Sequence, residues 1–309
     1  MELEYKLDKR IKFRPLSLED KTKYEELFFN ATERGCELSF ANLFLWGERE
    51  IAFFNGDAIV FSRYGSHTSY SYPLGKGDKR PIIDAIINDA SIRGVPAVIG
   101  GLTNDAKNEL ESLFPEKFEY ASNRGMFDYV YKIEDLSELK GKNYQKKRNH
   151  LRRFTATYPS FSVIPISEEL LPSVREMALS WYDERESKLP NSDFQTERLA
   201  LERALANYRE LSFEGLLLVS NNEVLAFTIG SQMSSDTFDV HFEKALLKAE
   251  GAYAAINNEF ARYIRANHPE IRFLNREEDM GLEGLRKAKL SYFPDHLVEK
   301  HRAKLKEEI

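Results

Sequence analysis

The stretch Thr237 to Glu243 reads TFDVHFE, and its residue types offer more chemistry than any other short run in the chain. Side chains alternate faces along a strand, so the pattern predicts Asp239, His241 and Glu243 on one face and Phe238, Val240 and Phe242 on the other. Such a face can move a proton, with a carboxylate as general base and an imidazole as its alternate or its orienting partner. The competing reading is a solvated polar face over a Phe-lined core. Ligands two residues apart on one strand, with no second His in the segment, are thin evidence for a metal, and none is expected.

Three further groupings carry chemistry. Glu277, Glu278 and Asp279 fall at a strand end before Gly281, where an α/β cleft opens, and suit recognition of an ammonium group. Asp279 would equally cap the following helix. Arg286 and Lys289 on that helix are added as substrate-binding candidates, whereas Lys287 is spaced for an ordinary pair with Glu283. Lys248, Gly251 and Ala252 lie where a strand gives way to a helix, and free backbone N–H groups there can hold a phosphate. Lys140 to Arg153 reads KGKNYQKKRNHLRR, seven Lys or Arg with no acid. At helical spacing Tyr144, Leu151, Phe154 and Tyr158 form an apolar stripe, and Lys142, Lys146, Asn149 and Arg153 form a cationic one opposite. Such a face is either plain solvated surface or a site for an anionic partner.

The elements that position these residues follow from periodicity. In the first half, helical patterns at Glu19 to Arg34 and Ser39 to Trp46 precede strands at Ile51 to Phe54, Ala58 to Tyr64 and Ser69 to Leu74. Asn55-Gly56-Asp57 marks a hairpin. A helix (Pro81 to Arg93), a strand (Ala97 to Leu102), a helix (Asn104 to Leu113) and a closing strand (Met126 to Lys132) complete that half. After the basic segment the order repeats: helices at Ser167 to Arg185 and Gln195 to Arg209, then strands at Leu216 to Val219, Val224 to Gln232 and Thr237 to Phe242. The helix Gly251 to Ala266, the strand Ile271 to Leu274 and the helix Leu282 to Leu290 follow. Repetition of element order predicts two mixed sheets flanked by helices, in domains spanning residues 1–135 and 136–309.

A chain of 309 residues suits two cores, and a net charge of −6 argues against nucleic-acid binding everywhere except at the basic segment. The single cysteine, Cys36, supports neither an internal disulfide nor a Cys-based zinc site. No signal peptide or membrane span is read, and a cytoplasmic location is expected.

The runs FDYVYKIEDLSELKGKNYQKKRNHLRRF, VHFEKALLKAEGAYAAINNEFARY, FLNREEDMGLEGLRKAKLSYFPD and ELSFANLFLW resemble an uncharacterised bacterial family related to the C-terminal domain of phosphatidylglycerol lysyltransferase. The resemblance implies a tandem GNAT fold, akin to the Fem-type transferases that move amino acids from aminoacyl-tRNA. It implies that Glu243 and His241 line the catalytic cleft of the C-terminal domain and that Tyr292 is a general acid there. The GNAT coenzyme A pattern is Arg or Gln, two residues, Gly, one residue, then Gly or Ala. Lys248 and Gly251 fit it loosely, whereas Tyr253 takes the last position and Glu250 sets a negative charge beside the pyrophosphate. An aminoacyl-tRNA donor is therefore preferred to a coenzyme A thioester, with a small-molecule, peptide or lipid-headgroup acceptor. A non-catalytic anion-binding module is the reading from a different class.

Overall fold

The computed structural model describes residues 11–29, 35–188 and 194–306. The chain forms two compact units, residues 1–127 with 298–309, and residues 128–297.

The first unit contains β1 (Arg14–Pro15), α1 (Lys21–Phe28), α2 (Phe40–Leu45), β2 (Glu48–Phe54), β3 (Asp57–Tyr64), β4 (His67–Ser71), α3 (Lys79–Arg93), β5 (Val98–Leu102), α4 (Asn104–Leu113) and β6 (Phe118–Ser122). The second opens with β7 (Asp128–Lys132), α5 (Ile133–Glu138), α6 (Gln145–Thr157), β8 (Ser162–Pro165), α7 (Leu171–Lys188), α8 (Gln195–Ala206) and β9 (Glu214–Ser220). It continues through β10 (Glu223–Gln232), β11 (Thr237–Ala245), α9 (Ala252–Asn267), β12 (Phe273–Asn275), α10 (Glu283–Leu290) and β13 (His296–Val298), and β14 (His301–Leu305) ends the described chain. The expected helix Glu19 to Arg34 is present as α1, and residues 30–34 lie outside the described part.

Each unit is built on a seven-stranded sheet, in the orders β1-β2-β3-β4-β5-β14-β6 and β8-β9-β10-β11-β12-β7-β13. Both run antiparallel through four strands, pair the fourth and fifth in parallel, and return to antiparallel for the sixth. These are the two similar mixed sheets that the element order predicts. The asparagine-bearing hairpins match as well. Asn55 and Gly56 between β2 and β3, and Asn221 and Asn222 between β9 and β10, all take positive φ, the conformation a tight hairpin turn requires.

The sixth strand corrects the expected boundary at residues 135/136. β7, expected to close the first half, lies in the second sheet, where Leu274 pairs with Tyr131. Its equivalent in the first sheet is β14, from the far C-terminus, between β5 and β6. Burial explains both placements. Tyr129, Val130 and Tyr131 are buried on both faces of β7, and Ala303 is buried in β14, as interior strands require.

One irregularity in the second sheet governs the site. Ile229 pairs with Phe242 and Gly230 with Val240, which leaves His241 as an extra residue on β11. This is a β-bulge, and beyond it the facing of side chains reverses. Gly230 is opposite, and a Cβ there would lie 2.2 Å from the carbonyl oxygen of Asp239. A Gly230→Ala substitution must push the two strands apart, an overpacking cost of about 1–3 kcal/mol. Denaturant unfolding should show this loss for Gly230→Ala and little change for Gly284→Ala, where a Cβ meets open space.

Candidate functional site

The bulge divides the residues that strict alternation places together. Glu243 pairs with Thr228 on the face covered by α9, where Asn257 of that helix donates to Glu243 Oε2 at 3.1 Å. Phe238 is on the same face, against Phe260 of α9. Asp239 and His241 face the other way. The expectation of one shared face for Asp239, His241 and Glu243, and of one cleft joining Glu243 and His241 to Glu277 and Tyr292, is therefore corrected.

On the α9 face, Arg276 donates from Nη2 to Glu243 Oε1 at 2.7 Å, with the two side chains 12% and 10% exposed. The guanidinium lies 4.8 Å from the ring centre of Tyr292 and 5.6 Å from that of Tyr131. Lys147 of α6 places Nζ 3.4 Å from the centre of the Tyr292 ring. Burial pushes the Lys147 amine down to about 8, helped by the nearby Arg276 charge and opposed by Glu243. Burial pushes the Tyr292 phenol well above its ordinary value, so it stays neutral. Burial opposes the charge of Arg276, but Glu243 outweighs it and raises the pKa further. Arg276 Nη1 is out of solvent with no hydrogen-bond partner among the described residues. Buried donors are rarely left so.

On the opposite face, His241 Nε2 meets Ser231 Oγ at 2.8 Å, and Nδ1 lies 3.3 Å from Glu277 Oε1 and 3.6 Å from Asp239 Oδ2. Phe213 packs edge-on against the imidazole at 5.3 Å. Arg276 and Glu277 are consecutive in the loop after β12 and serve opposite faces of the sheet.

The loop after β12 is tightly held. Asp279 accepts from Tyr129 (2.6 Å), from Arg286 (2.8 and 3.0 Å) and from the N–H of Gly281 (2.8 Å). Those bonds, Arg286 foremost, hold its carboxyl far below the usual carboxylate range. Lys289 donates to the carbonyls of Arg276 and Glu278. Asp279, Arg286 and Lys289 thus fix a loop in which Glu277, Met280 and Gly281 take positive φ, and the neighbouring Glu278 is half-buried.

The strand-to-helix turn before α9 packs closely on α6. A Cβ on Gly251 would lie 2.5 Å from the carbonyl oxygen of His150 in α6, so the glycine permits that approach. Ala252 is buried behind it. Lys248 pairs with Glu223, and Arg153 with Glu250 at 2.8 Å. Phe154 of α6 and Tyr144 at its N-cap are buried, whereas Lys146 and Arg153 of α6 are exposed, as is Lys142, which lies in the turn before the helix and not on it.

Three residues of these clusters escape the sequence reading. Lys147 carries a signal, because it falls between Tyr144 and Leu151 on the apolar stripe. Arg276 and Ser231 acquire their roles only through the bulge and the strand register.

The sequence profile described as "Phosphatidylglycerol lysyltransferase, C-terminal" matches residues 28–304. A crystal structure of a conserved protein of unknown function from Bacteroides thetaiotaomicron is similar over 96% of this chain and 100% of its own, at 35% identity and a TM-score of 0.90. L-PGS from Bacillus licheniformis gives a TM-score of 0.65 at 16% identity, covering 94% of this chain and 93% of its own. FemX gives 0.62 at 11%, covering 96% and 98%. Both share the fold. An uncharacterised curated protein of Mycoplasmoides gallisepticum is 26% identical over 182 residues, 58% of this chain, and the match spans only 56% of that relative.

The Lys147 environment predicts its titration. The folded chain should release this proton near pH 8, whereas an unfolded chain holds it to about 10.5. The unfolded state then binds more protons in that window, so this group's contribution to stability rises with pH across it. NMR of ¹³Cε-labelled lysine should show one such midpoint, moving upward in Arg276→Met as the neighbouring cation is removed. A Lys147 resonance with an ordinary midpoint contradicts the assignment.

Proposed function

The chain belongs to the phosphatidylglycerol lysyltransferase C-terminal family, and we propose that it is an aminoacyltransferase of the GNAT/Fem type, moving an aminoacyl group from aminoacyl-tRNA to an amine or hydroxyl acceptor. The observation that carries this reading is the unpartnered, buried Arg276 Nη1 near the Lys147 amine, which burial brings down to about 8. Acyl transfer needs that pair: a donor for the carbonyl oxygen as it becomes an oxyanion, and a base for the attacking group.

The reaction then runs as follows. The acceptor nitrogen or oxygen attacks the ester carbonyl of the aminoacyl-tRNA, and its proton passes to neutral Lys147. Arg276, held by Glu243, receives the oxyanion. The tetrahedral intermediate collapses, the bond from the acyl carbon to the ribose oxygen breaks, and the Lys147 ammonium returns the proton to that oxygen. Tyr292, neutral and stacked under Lys147, helps keep the amine desolvated. Glu243, first read as the base, is bonded through both oxygens to Arg276 and Asn257 and suits the part of anchor.

The choice of donor is supported at two places. Glu250, next to Gly251 in the turn before α9, sets a negative charge where a pyrophosphate would lie, which disfavours a coenzyme A thioester. Lys146 and Arg153 on the exposed face of α6, the latter beside Glu250, and Lys142 just before the helix are open to a polyanion. Among the described residues no helix is long and apolar enough to cross a membrane.

Binding of charged tRNA should weaken steeply with salt, and Ala at Lys142, Lys146 and Arg153 together should lower the logarithmic salt slope by roughly 2–3, about one per lost phosphate contact. Tight acetyl-CoA binding in calorimetry with no tRNA binding would instead favour a CoA-dependent N-acyltransferase. Anion binding without turnover would favour the non-catalytic module. In single-turnover transfer, Lys147→Arg should abolish the rise in rate with a midpoint near pH 8. Arg276→Lys should lower the rate by about 100- to 1000-fold, as for loss of an oxyanion donor.

A further inference from the structure

We propose that Asp239, His241 and Glu277 form a site for one divalent ion of the zinc or manganese class, on the sheet face opposite Arg276. Each contributes one donor atom, and the three atoms lie within 4.8 Å of one another. The separations from His241 Nδ1 are 3.3 Å to Glu277 Oε1 and 3.6 Å to Asp239 Oδ2. A tetrahedral site with bonds of about 2.0–2.2 Å sets its ligand atoms about 3.3–3.6 Å apart, the range in which both separations from His241 Nδ1 fall.

The surroundings suit a ligating imidazole. Ser231 Oγ accepts from His241 Nε2–H at 2.8 Å in the tautomer that leaves the Nδ1 lone pair facing the two carboxylates. Metal-bound imidazoles are held in this way by an outer hydrogen bond. One nitrogen and two carboxylate oxygens match zinc or manganese. Calcium takes six to eight oxygens and magnesium a near-ideal octahedron. Three protein ligands leave a fourth position for water. Asp239 and His241 side chains are fully buried, whereas Glu277 is 18% exposed and provides the way in. Glu277 also holds a positive φ of 53°, which turns its carboxylate toward the imidazole. The ion would tie β11 to the loop after β12, and so fix the residue adjoining Arg276. This inference does not rest on the transferase reading.

The test is calorimetry of the full chain, stripped with chelator, against Zn²⁺ and Mn²⁺, together with the visible spectrum of added Co²⁺. The expected result is about one ion per chain, with Co²⁺ bands of a low-coordinate site. His241→Gln and Glu277→Gln should each weaken binding by at least tenfold, and Ser231→Ala by about tenfold through the outer hydrogen bond. Glu277→Gln is partly exposed and nearly isosteric, so it provides a folded variant even if His241→Gln unfolds. An absence of binding, or equal binding by the wild type and Glu277→Gln, overturns the proposal.

Discussion

The one-residue bulge at His241 is the constraint on which the second unit's chemistry depends. A regular β11 would set Asp239, His241 and Glu243 in a row, and Arg276 could not pair with Glu243 while its neighbour Glu277 reached His241. With one residue squeezed out opposite Gly230, the strand serves both faces of the sheet. One face gains a carboxylate for a buried guanidinium. The other gains a carboxylate and an imidazole that meet Glu277. Gly230 permits this because no other residue tolerates the carbonyl of Asp239 so close.

The electrostatics of the α9 face follow from that arrangement. Arg276 is held charged by Glu243, and burial, together with the Arg276 charge, brings the Lys147 amine down to about 8. The carboxylate, guanidinium and amine therefore act as a unit, and removing any one changes the other two. The loop that carries Arg276 is locked by Asp279 and Lys289, whose bonds to Arg286, Tyr129 and backbone carbonyls keep its left-handed residues in place. Residues that read as substrate contacts in the sequence here organise the loop that presents Arg276.

Much of the fold was legible because its signals are local. The Asn-Gly and Asn-Asn turns, the alternating strands around them and the amphipathic α6 all depend on short-range periodicity. β6, β13 and β14 carry little local signal, since HLV and HRAKL do not alternate clearly enough to stand out. The true place of β7 required a partner more than a hundred residues away, Phe273 to Asn275. In the site, Glu243 and His241 were visible as residue types, but their separation was not, because a single glycine on the neighbouring strand decides it. Gly230 inside an otherwise regular strand was the available hint. Gly251 fits a phosphate-turn motif, but its packing role was not visible in the sequence, because the missing side chain accommodates His150 of α6.

The central claim is that Arg276 Nη1 and Lys147 together receive an ester carbonyl and its attacking group. The most direct measurement is a crystal structure with a non-hydrolysable aminoacyl-adenosine, an amide replacing the ester. The account predicts the amide carbonyl oxygen within hydrogen-bond distance of Arg276 Nη1, with Lys147 Nζ facing the side from which an acceptor would attack. An analogue seated away from both residues, with Nη1 still unpartnered or bonded only to water, would contradict it.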